Sequence, residues 1–144
     1  MTAAPAGRKF FDTNVLVYLF DRSAPAKRDR ALEIFEAAVH ADEIVLSAQI
    51  LQEFFAVVTR LSGVGIPVEE AEAEVRRYAR LEVVSTDREL VLAAITRSRR
   101  SKLSYWDAAV VEAALRARCT TLFSEDLRNG WQIEGQMTVV NPFA

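Results

Sequence analysis

Short apolar runs alternate along the chain with longer segments in which apolar residues recur every three or four positions. Runs of about four residues rich in Val, Ile, Leu and Phe are typical of strands covered on both faces of a sheet. Apolar residues at helical spacing, such as Ala31, Ile34 and Ala38, predict amphipathic helices between these runs. The predicted strands span residues 9–11, 43–46, 81–84, 120–123 and 137–140.

Helix-starting signals support the same alternation. Thr86 and Glu89 have the spacing of a capping box, and Ser104 with Asp107 resembles a second one. Strands that alternate with helices predict an α/β domain with a mainly parallel sheet. The first two predicted helices span residues 26–41 and 48–60, and a third begins at Pro67. The last two begin at the two caps and end at about residues 98 and 118.

Composition excludes several classes of protein. With 51% hydrophobic and 26% charged residues, the 144-residue chain is neither disordered nor of low complexity. One cysteine, Cys119, and one histidine, His40, exclude a disulfide framework, a cysteine zinc site and a paired-histidine metal site. At this length we expect one domain over residues 1–144, with residues 1–7 disordered. The apolar runs are too short to span a membrane, and a cytoplasmic location is expected.

Four acidic residues map to one edge of the predicted sheet. In a parallel sheet, the strands end and the crossover helices begin at the same edge, where ligands bind. Each of the four acids follows a strand or lies near the start of a helix, so we expect their carboxylates to converge. They are Asp12, Glu53, Asp107 and Asp126.

Carboxylates grouped without histidine or thiol suit hard cations. Like charges on one edge repel one another unless cations lie between them. Mg²⁺ and Mn²⁺ prefer oxygen ligands, and such ions activate water and stabilise the leaving oxygen in phosphodiester cleavage. The acids therefore favour metal-assisted phosphodiester hydrolysis.

Each acid also has a structural interpretation. Asp12 and Asp126 suit turns after strands, Asp107 suits a helix cap, and Glu53 suits a solvated helix face. The apolar residues on both sides of Glu53 leave little solvated face, however, and a polar group among core segments needs a partner.

Four segments, in order along nearly the whole chain, resemble motifs of the PIN-domain ribonucleases. Residues 11–17 (F-D-T-N-V-L-V) resemble the first motif and residues 47–54 (S-A-Q-I-L-Q-E-F) the second. Residues 103–108 (L-S-Y-W-D-A) resemble the third, and residues 122–127 (L-F-S-E-D-L) resemble the fourth, in which Ser or Thr precedes Asp by two positions. Two acids are adjacent in the fourth motif, Glu125 and Asp126, and the spacing favours the second.

A stand-alone PIN domain of this length resembles VapC-like toxins of type II toxin–antitoxin pairs, and the resemblance has specific implications. It implies a three-layer PIN-like domain in which helices flank a central, mainly parallel five-stranded sheet. It also implies Mg²⁺- or Mn²⁺-dependent endoribonuclease activity, a cognate antitoxin protein as partner, and a homodimer. The implied catalytic and metal-binding residues are Asp12, Glu53, Asp107 and Asp126, with Thr13, Asn14 and Ser124 orienting ligands or bound water.

Basic and aromatic residues near these motifs suggest contacts with RNA. A basic run before the third motif predicts contact with the RNA backbone through charge alone, although a solvated loop explains it equally. Residues 21–30 form a second basic segment, after the first helix. Tyr105 and Trp106 suit stacking on an unpaired base, with core or interface packing as the competing explanation. The basic run comprises Arg97, Arg99, Arg100 and Lys102.

Other functions compete with RNA cleavage. A non-catalytic PIN-like module for binding protein or RNA has the same fold, but all four acids are present in this chain. Phosphotransfer of the haloacid-dehalogenase type needs a second Asp two residues after the first, and Asn14 occupies that position. Dinucleotide binding needs a Gly-x-Gly-x-x-Gly motif, which the sequence lacks.

Overall fold

The computed structural model describes residues 6–144, which form six strands and six helices. The strands are β1 (Lys9–Phe11), β2 (Ile44–Ser47), β3 (Glu82–Val84), β4 (Thr121–Phe123), β5 (Gln132–Ile133) and β6 (Met137–Val140). The helices are α1 (Thr13–Tyr18), α2 (Pro25–His40), α3 (Ala48–Val58), α4 (Val68–Tyr78), α5 (Arg88–Ser101) and α6 (Tyr105–Arg116). The predicted α/β class is confirmed.

One sheet carries all the strands, in the order β3-β2-β1-β4-β6-β5. The five predicted strands form and pair in parallel, whereas β5 lies antiparallel to β6. The predicted count of five was wrong, because β5 has only two residues, too few to show an apolar pattern. A mainly parallel sheet is confirmed.

The core lies on both sides of the central strands. Every residue of β1 and β2 is buried, including Phe10 and Phe11 with no exposed surface, so helices cover both faces of the sheet as the apolar runs predict. Cys119 is buried too. None of the helices within residues 6–144 combines the length and apolar character needed to cross a bilayer.

The N-terminal prediction falls mainly outside the described residues. Residues 1–5, expected to be disordered, are among those the structure does not describe. At Gly7 the backbone N–H donates to Glu43 Oε2 at 2.5 Å, so the chain is held two residues before β1.

Of the two predicted helix caps, one is confirmed and one is wrong. Ser104 caps α6, since its hydroxyl accepts from the backbone N–H of Asp107 at 3.1 Å. The N-cap of α5 is Asp87 and not Thr86: the Asp87 carboxylate accepts from the N–H of Leu90 at 2.8 Å. Aspartate is a stronger N-cap than threonine, and the shift moves the start of the helix by one residue.

Candidate active site

Asp12 lies directly after β1 at the centre of the sheet, where it is the N-cap of α1 and is buried. One carboxylate oxygen, Oδ1, accepts from the backbone N–H of Thr13 at 2.8 Å. The other, Oδ2, accepts from the hydroxyl of Ser124 at 2.8 Å. Because β1 pairs with β4, the first and fourth motifs lie side by side at the carboxyl edge of the sheet.

Ser124 organises the turn that follows β4. Its fully buried hydroxyl donates to Asp12 and accepts from the backbone N–H groups of Asp126 at 3.1 Å and Leu127 at 3.4 Å. One hydroxyl thus fixes both the buried carboxylate and the backbone of Asp126.

Asn14 connects α1 to the same turn. Its side-chain amide donates to Asp126 Oδ2 at 3.0 Å and its Oδ1 accepts from the backbone N–H of Glu125 at 3.2 Å. Thr13 contributes its backbone N–H to Asp12, while its own buried hydroxyl has no hydrogen-bond partner in the described structure. The structure therefore brings the three predicted orienting residues to the carboxylates.

Glu53 reaches the site from α3 and is half buried. Gln49, one turn earlier, donates to Glu53 Oε1 at 2.9 Å and to the backbone carbonyl of Trp106 at 3.2 Å. This buried amide ties α3 to the first turn of α6, where Asp107 lies. Sequence reasoning missed Gln49; its position four residues before Glu53, on the same helix face, was the available signal.

The four acids face one another without cationic partners. Burial raises the pKa of Asp12 to about 6 and the charges of Asp126 and Glu53 add to the rise, against the opposing hydrogen bonds from Ser124 and Thr13. Burial and the charge of Asp126 likewise raise the pKa of Asp107. Within residues 6–144, none of the ion pairs includes any of the four acids.

The donor set at this edge consists of oxygen atoms alone. Among residues 6–144, no three His, Cys, Asp or Glu side chains surround one point as a preformed cation cage would. The acids instead interact in pairs, with Asp126 acting on both Asp12 and Asp107. Mg²⁺ commonly binds one or two carboxylates and keeps several waters. The residues therefore fit an ion whose coordination is completed by water or by a substrate phosphate.

Two shallow grooves meet at Asp126. A groove of about 350 Å³ lies between α1 and α3 and is lined by Asn14, Tyr18, Glu53 and Asp126 among others. A groove of about 440 Å³ on the other side is lined by Asp107, Asp126, Arg128 and Trp131 among others.

A larger groove of about 1070 Å³ continues from the first one, with which it shares Val17 and Val57. It is lined by Arg22, Arg28 and Arg60 and by two acids, Glu70 and Asp21, of which Asp21 also lines the first groove. In the described structure these three arginines form no ion pair. Sequence analysis indicated the region of Arg22 and Arg28 but missed Arg60.

The predicted basic run is divided by the fold. Arg97 Nε donates to Glu112 and Nη2 to Glu134, each at 2.5 Å, and its side chain is only 15% exposed. Arg97 is therefore a structural residue, and its predicted RNA contact finds no support in the structure. Arg99, Arg100 and Lys102 are exposed at the end of α5, and an RNA contact there stays a prediction.

The two aromatic residues of the third motif are placed differently. Trp106 is 64% exposed, and Tyr105, less exposed, packs edge-on against it at 5.0 Å between ring centroids. Stacking of Trp106 on a base stays a prediction.

Of the two adjacent acids after β4, only one faces the others. The Glu125 carboxylate accepts from the Tyr18 hydroxyl at 2.8 Å and from Lys27 Nζ at 2.6 Å. Burial raises the pKa of Glu125, but these hydrogen bonds outweigh that effect and the pKa is lowered. Asp126 lines both grooves and Glu125 lines neither. The structure therefore brings Asp12, Glu53, Asp107 and Asp126 to one edge of the sheet.

A mainly parallel sheet that carries acidic side chains without cationic partners at its carboxyl edge is typical of α/β domains that bind ligands at that edge. Residues 9–129 match the PIN domain family, and the chain belongs to that family. The match runs from β1 to just beyond β4 and includes all four acids.

Solved structures show the same fold at low sequence identity. A toxin–antitoxin complex from Klebsiella pneumoniae matches with a TM-score of 0.67 and 20% identity, covering 93% of this chain and 97% of that one. VapC20 of Mycobacterium tuberculosis, a toxin that cleaves the sarcin–ricin loop, gives 0.64 and 19%, covering 82% and 91%. DNA-bound VapBC from Salmonella typhimurium gives 0.61 and 18%, covering 93% and 97%. No curated protein sequence matches significantly.

Proposed function

We propose that this chain is a Mg²⁺- or Mn²⁺-dependent endoribonuclease and the toxin of a toxin–antitoxin pair. One observation carries the proposal: four carboxylates lie at the carboxyl edge of the sheet and interact in pairs, and none forms an ion pair within residues 6–144. Membership of the PIN family supports it, as does structural similarity to VapC20, described as an RNA-cleaving toxin.

The carboxylates of Asp12, Glu53, Asp107 and Asp126 would contribute metal ligands in pairs, with water or a substrate phosphate completing the coordination. When bound, the ion supplies an activated water and charge stabilisation at the scissile phosphate. Ser124 and the Thr13 backbone orient the Asp12 carboxylate through one hydrogen bond to each oxygen. Asn14 orients Asp126. Each role follows from a contact with a carboxylate oxygen.

The charges along the grooves support a nucleic acid as substrate. Arg22, Arg28 and Arg60 line the large groove on one side of the acids, and Arg128 lines the groove on the other. A strand lying across Asp126 would place phosphates near arginines on both sides of the scissile bond. Arginine suits such contacts because its planar fork matches phosphate.

Partner, oligomeric state and location follow from the family resemblance. We propose a cognate antitoxin that blocks the site, because two of the similar structures, from Klebsiella pneumoniae and Salmonella typhimurium, are toxin–antitoxin assemblies. A homodimer and a cytoplasmic location are proposed from the resemblance to VapC-like toxins.

Cleavage of a mixed RNA substrate by the purified full chain tests the proposal. We expect Mn²⁺ or Mg²⁺ to support cleavage and EDTA to abolish it, and Asp126→Asn to be inactive with an unchanged fold. The matched control is Glu69→Gln, on the exposed start of α4. RNA cleavage that persists in EDTA rejects the metal mechanism. RNA binding without cleavage under any metal favours the non-catalytic module.

A further inference from the structure

A three-residue network outside the carboxylate site holds Glu125 by both oxygens. Tyr18 donates to Oε1 at 2.8 Å and Lys27 Nζ to Oε2 at 2.6 Å, and Lys27 also donates to the Tyr18 hydroxyl at 3.0 Å. We call Tyr18, Lys27 and Glu125 the clamp. It joins α1 and α2 to the turn after β4.

An aromatic ring near the C-terminus covers the clamp. Phe143 packs edge-on against Tyr18 with 4.8 Å between ring centroids, and Lys27 Nζ lies 4.8 Å from the Tyr18 ring and 5.6 Å from the Phe143 ring. The ammonium group therefore has contacts from a carboxylate, a hydroxyl and two ring faces. These contacts hold the ammonium group beside Glu125 and Tyr18, while the Lys27 side chain as a whole is 42% exposed.

The clamp is connected to Asp126 through one turn of backbone. The backbone N–H of Glu125 donates to Asn14, whose amide donates in turn to the Asp126 carboxylate. Asn14 and Tyr18 lie four residues apart on α1 and so share a helix face. On that helix face, Asn14 contacts the Asp126 carboxylate, and Tyr18 contacts the carboxylate of the adjacent residue, Glu125.

Asp126 needs such a restraint. It is exposed, it faces the charges of Asp12 and Asp107, and its carboxylate accepts from Asn14 alone among described side chains. Repulsion from the other acids favours a turn that moves outward. Mg²⁺ requires near-ideal geometry, and a displacement of about 1 Å can reduce a rate on the order of 100-fold.

We propose that Lys27 and Tyr18 are positioning residues that act through Glu125 to hold Asp126 against the other carboxylates. This inference rests on the proposed function, in which Asp126 binds metal. Glu125 is assigned no role as a ligand, because it lines neither groove at Asp126 and its carboxylate contacts Tyr18 and Lys27 instead. The hydrogen bonds of the Lys27 ammonium group to Glu125 and Tyr18 favour a positioning role over a phosphate contact.

The experiment compares Lys27→Met, Glu125→Gln and their double variant with Lys27→Arg, which keeps the charge. Arg76→Met is the matched control, since it removes an exposed ion pair with Glu72 on α4. Mn²⁺ affinity is measured by calorimetry, and single-turnover cleavage is measured over a range of RNA concentrations that gives both the rate at saturation and the KM for RNA. Removing a group that orients a metal ligand typically weakens affinity or activity by about 10- to 100-fold.

We expect both single variants to weaken Mn²⁺ affinity by about 10-fold, and the double variant to be no worse than either, because the two residues act as one unit. Lys27→Arg should recover most of the loss, and Arg76→Met should match the parent. Unchanged Mn²⁺ affinity in Lys27→Met overturns the proposal. So does a change confined to the KM for RNA, which would make Lys27 a substrate contact.

Amide hydrogen exchange of the metal-free protein separates this inference from the proposed function. Lys27→Met should speed exchange at the Asp126 and Leu127 amides by about 10-fold or more, through local opening. The Val139 amide, bonded to Trp131 in the sheet, should be unaffected. If the parent neither binds Mn²⁺ nor cleaves RNA, the proposed function fails. Exchange at Asp126 then still decides whether Lys27 orders the turn, and unchanged exchange there overturns the inference.

Discussion

Replacing Asp12 with Asn should stabilise the metal-free protein at neutral pH. The pKa of this carboxyl is raised from 3.8 to about 6, first by burial. One pKa unit corresponds to about 1.4 kcal/mol, so ionisation of Asp12 costs the fold about 3 kcal/mol. Asn keeps nearly the same shape, and its Oδ1 can still accept from the Thr13 N–H.

The pH dependence follows from the direction of this pKa change. Since the folded state binds the proton more tightly than the unfolded chain, the parent loses stability as pH rises from about 4 to about 6, and the full penalty is present above that range. Asp12→Asn is insensitive to this titration. The gain of the variant over the parent should therefore be near zero at pH 4 and largest at pH 8.

Thermal unfolding in EDTA at pH 4, 6 and 8 measures this gain. For a chain of this size, 3 kcal/mol corresponds to a Tm increase of roughly 10 °C. Added Mn²⁺ should raise the Tm of the parent and leave that of the variant nearly unchanged. A variant less stable than the parent at pH 8, or a difference independent of pH, refutes the reasoning and makes Asp12 mainly a helix cap.

Three further outcomes are expected. Asp107→Glu should melt within a few degrees of the parent, since Glu also serves the capping box. It should cut RNA about 100-fold more slowly because the carboxylate moves; full activity would make Asp107 a cap only. Ser124→Ala should lower stability by about 1–3 kcal/mol in urea unfolding, because the Asp12 carboxylate loses a buried partner; an unchanged midpoint contradicts this. Arg60→Gln should weaken RNA binding and reduce its salt dependence by about one ion, whereas Arg80→Gln, exposed outside the grooves, should not; equal effects would exclude the large groove as the RNA path.

Features that depend on local pattern were predictable. Five strands were found from apolar runs, because strands inside the sheet are largely buried on both faces and admit few other residues, and the edge strand β3 still carries Val83 and Val84. The convergence of the four acids was also predictable, since each follows a strand or starts a helix at one edge of a parallel sheet. The Ser104 cap was predictable because Asp107 follows Ser104 by three positions, which is the spacing of a capping box.

Features that depend on contacts between side chains far apart in the sequence were not predictable. The ion pairs of Arg97 join it to residues 15 and 37 positions away, so the basic run alone could not show that this arginine is neutralised. Lys27 and Glu125 are 98 positions apart, and only the folded turn after β4 brings them into contact. Two adjacent residues, Thr86 and Asp87, were both able to cap α5. The contact of Asp87 with Arg116 favours Asp87 as the cap.

The position of β1 between β2 and β4 links activity to completion of the fold. Asp12 precedes its partner Ser124 by 112 positions, and Asp126 comes later still. A nascent chain that has emerged only through α6 carries Asp12, Glu53 and Asp107 but lacks the strand that completes the site. Such a chain would lack the proposed nuclease activity. Premature termination before β4 should likewise yield fragments without the proposed activity, so nonsense mutations anywhere upstream of residue 124 should abolish it.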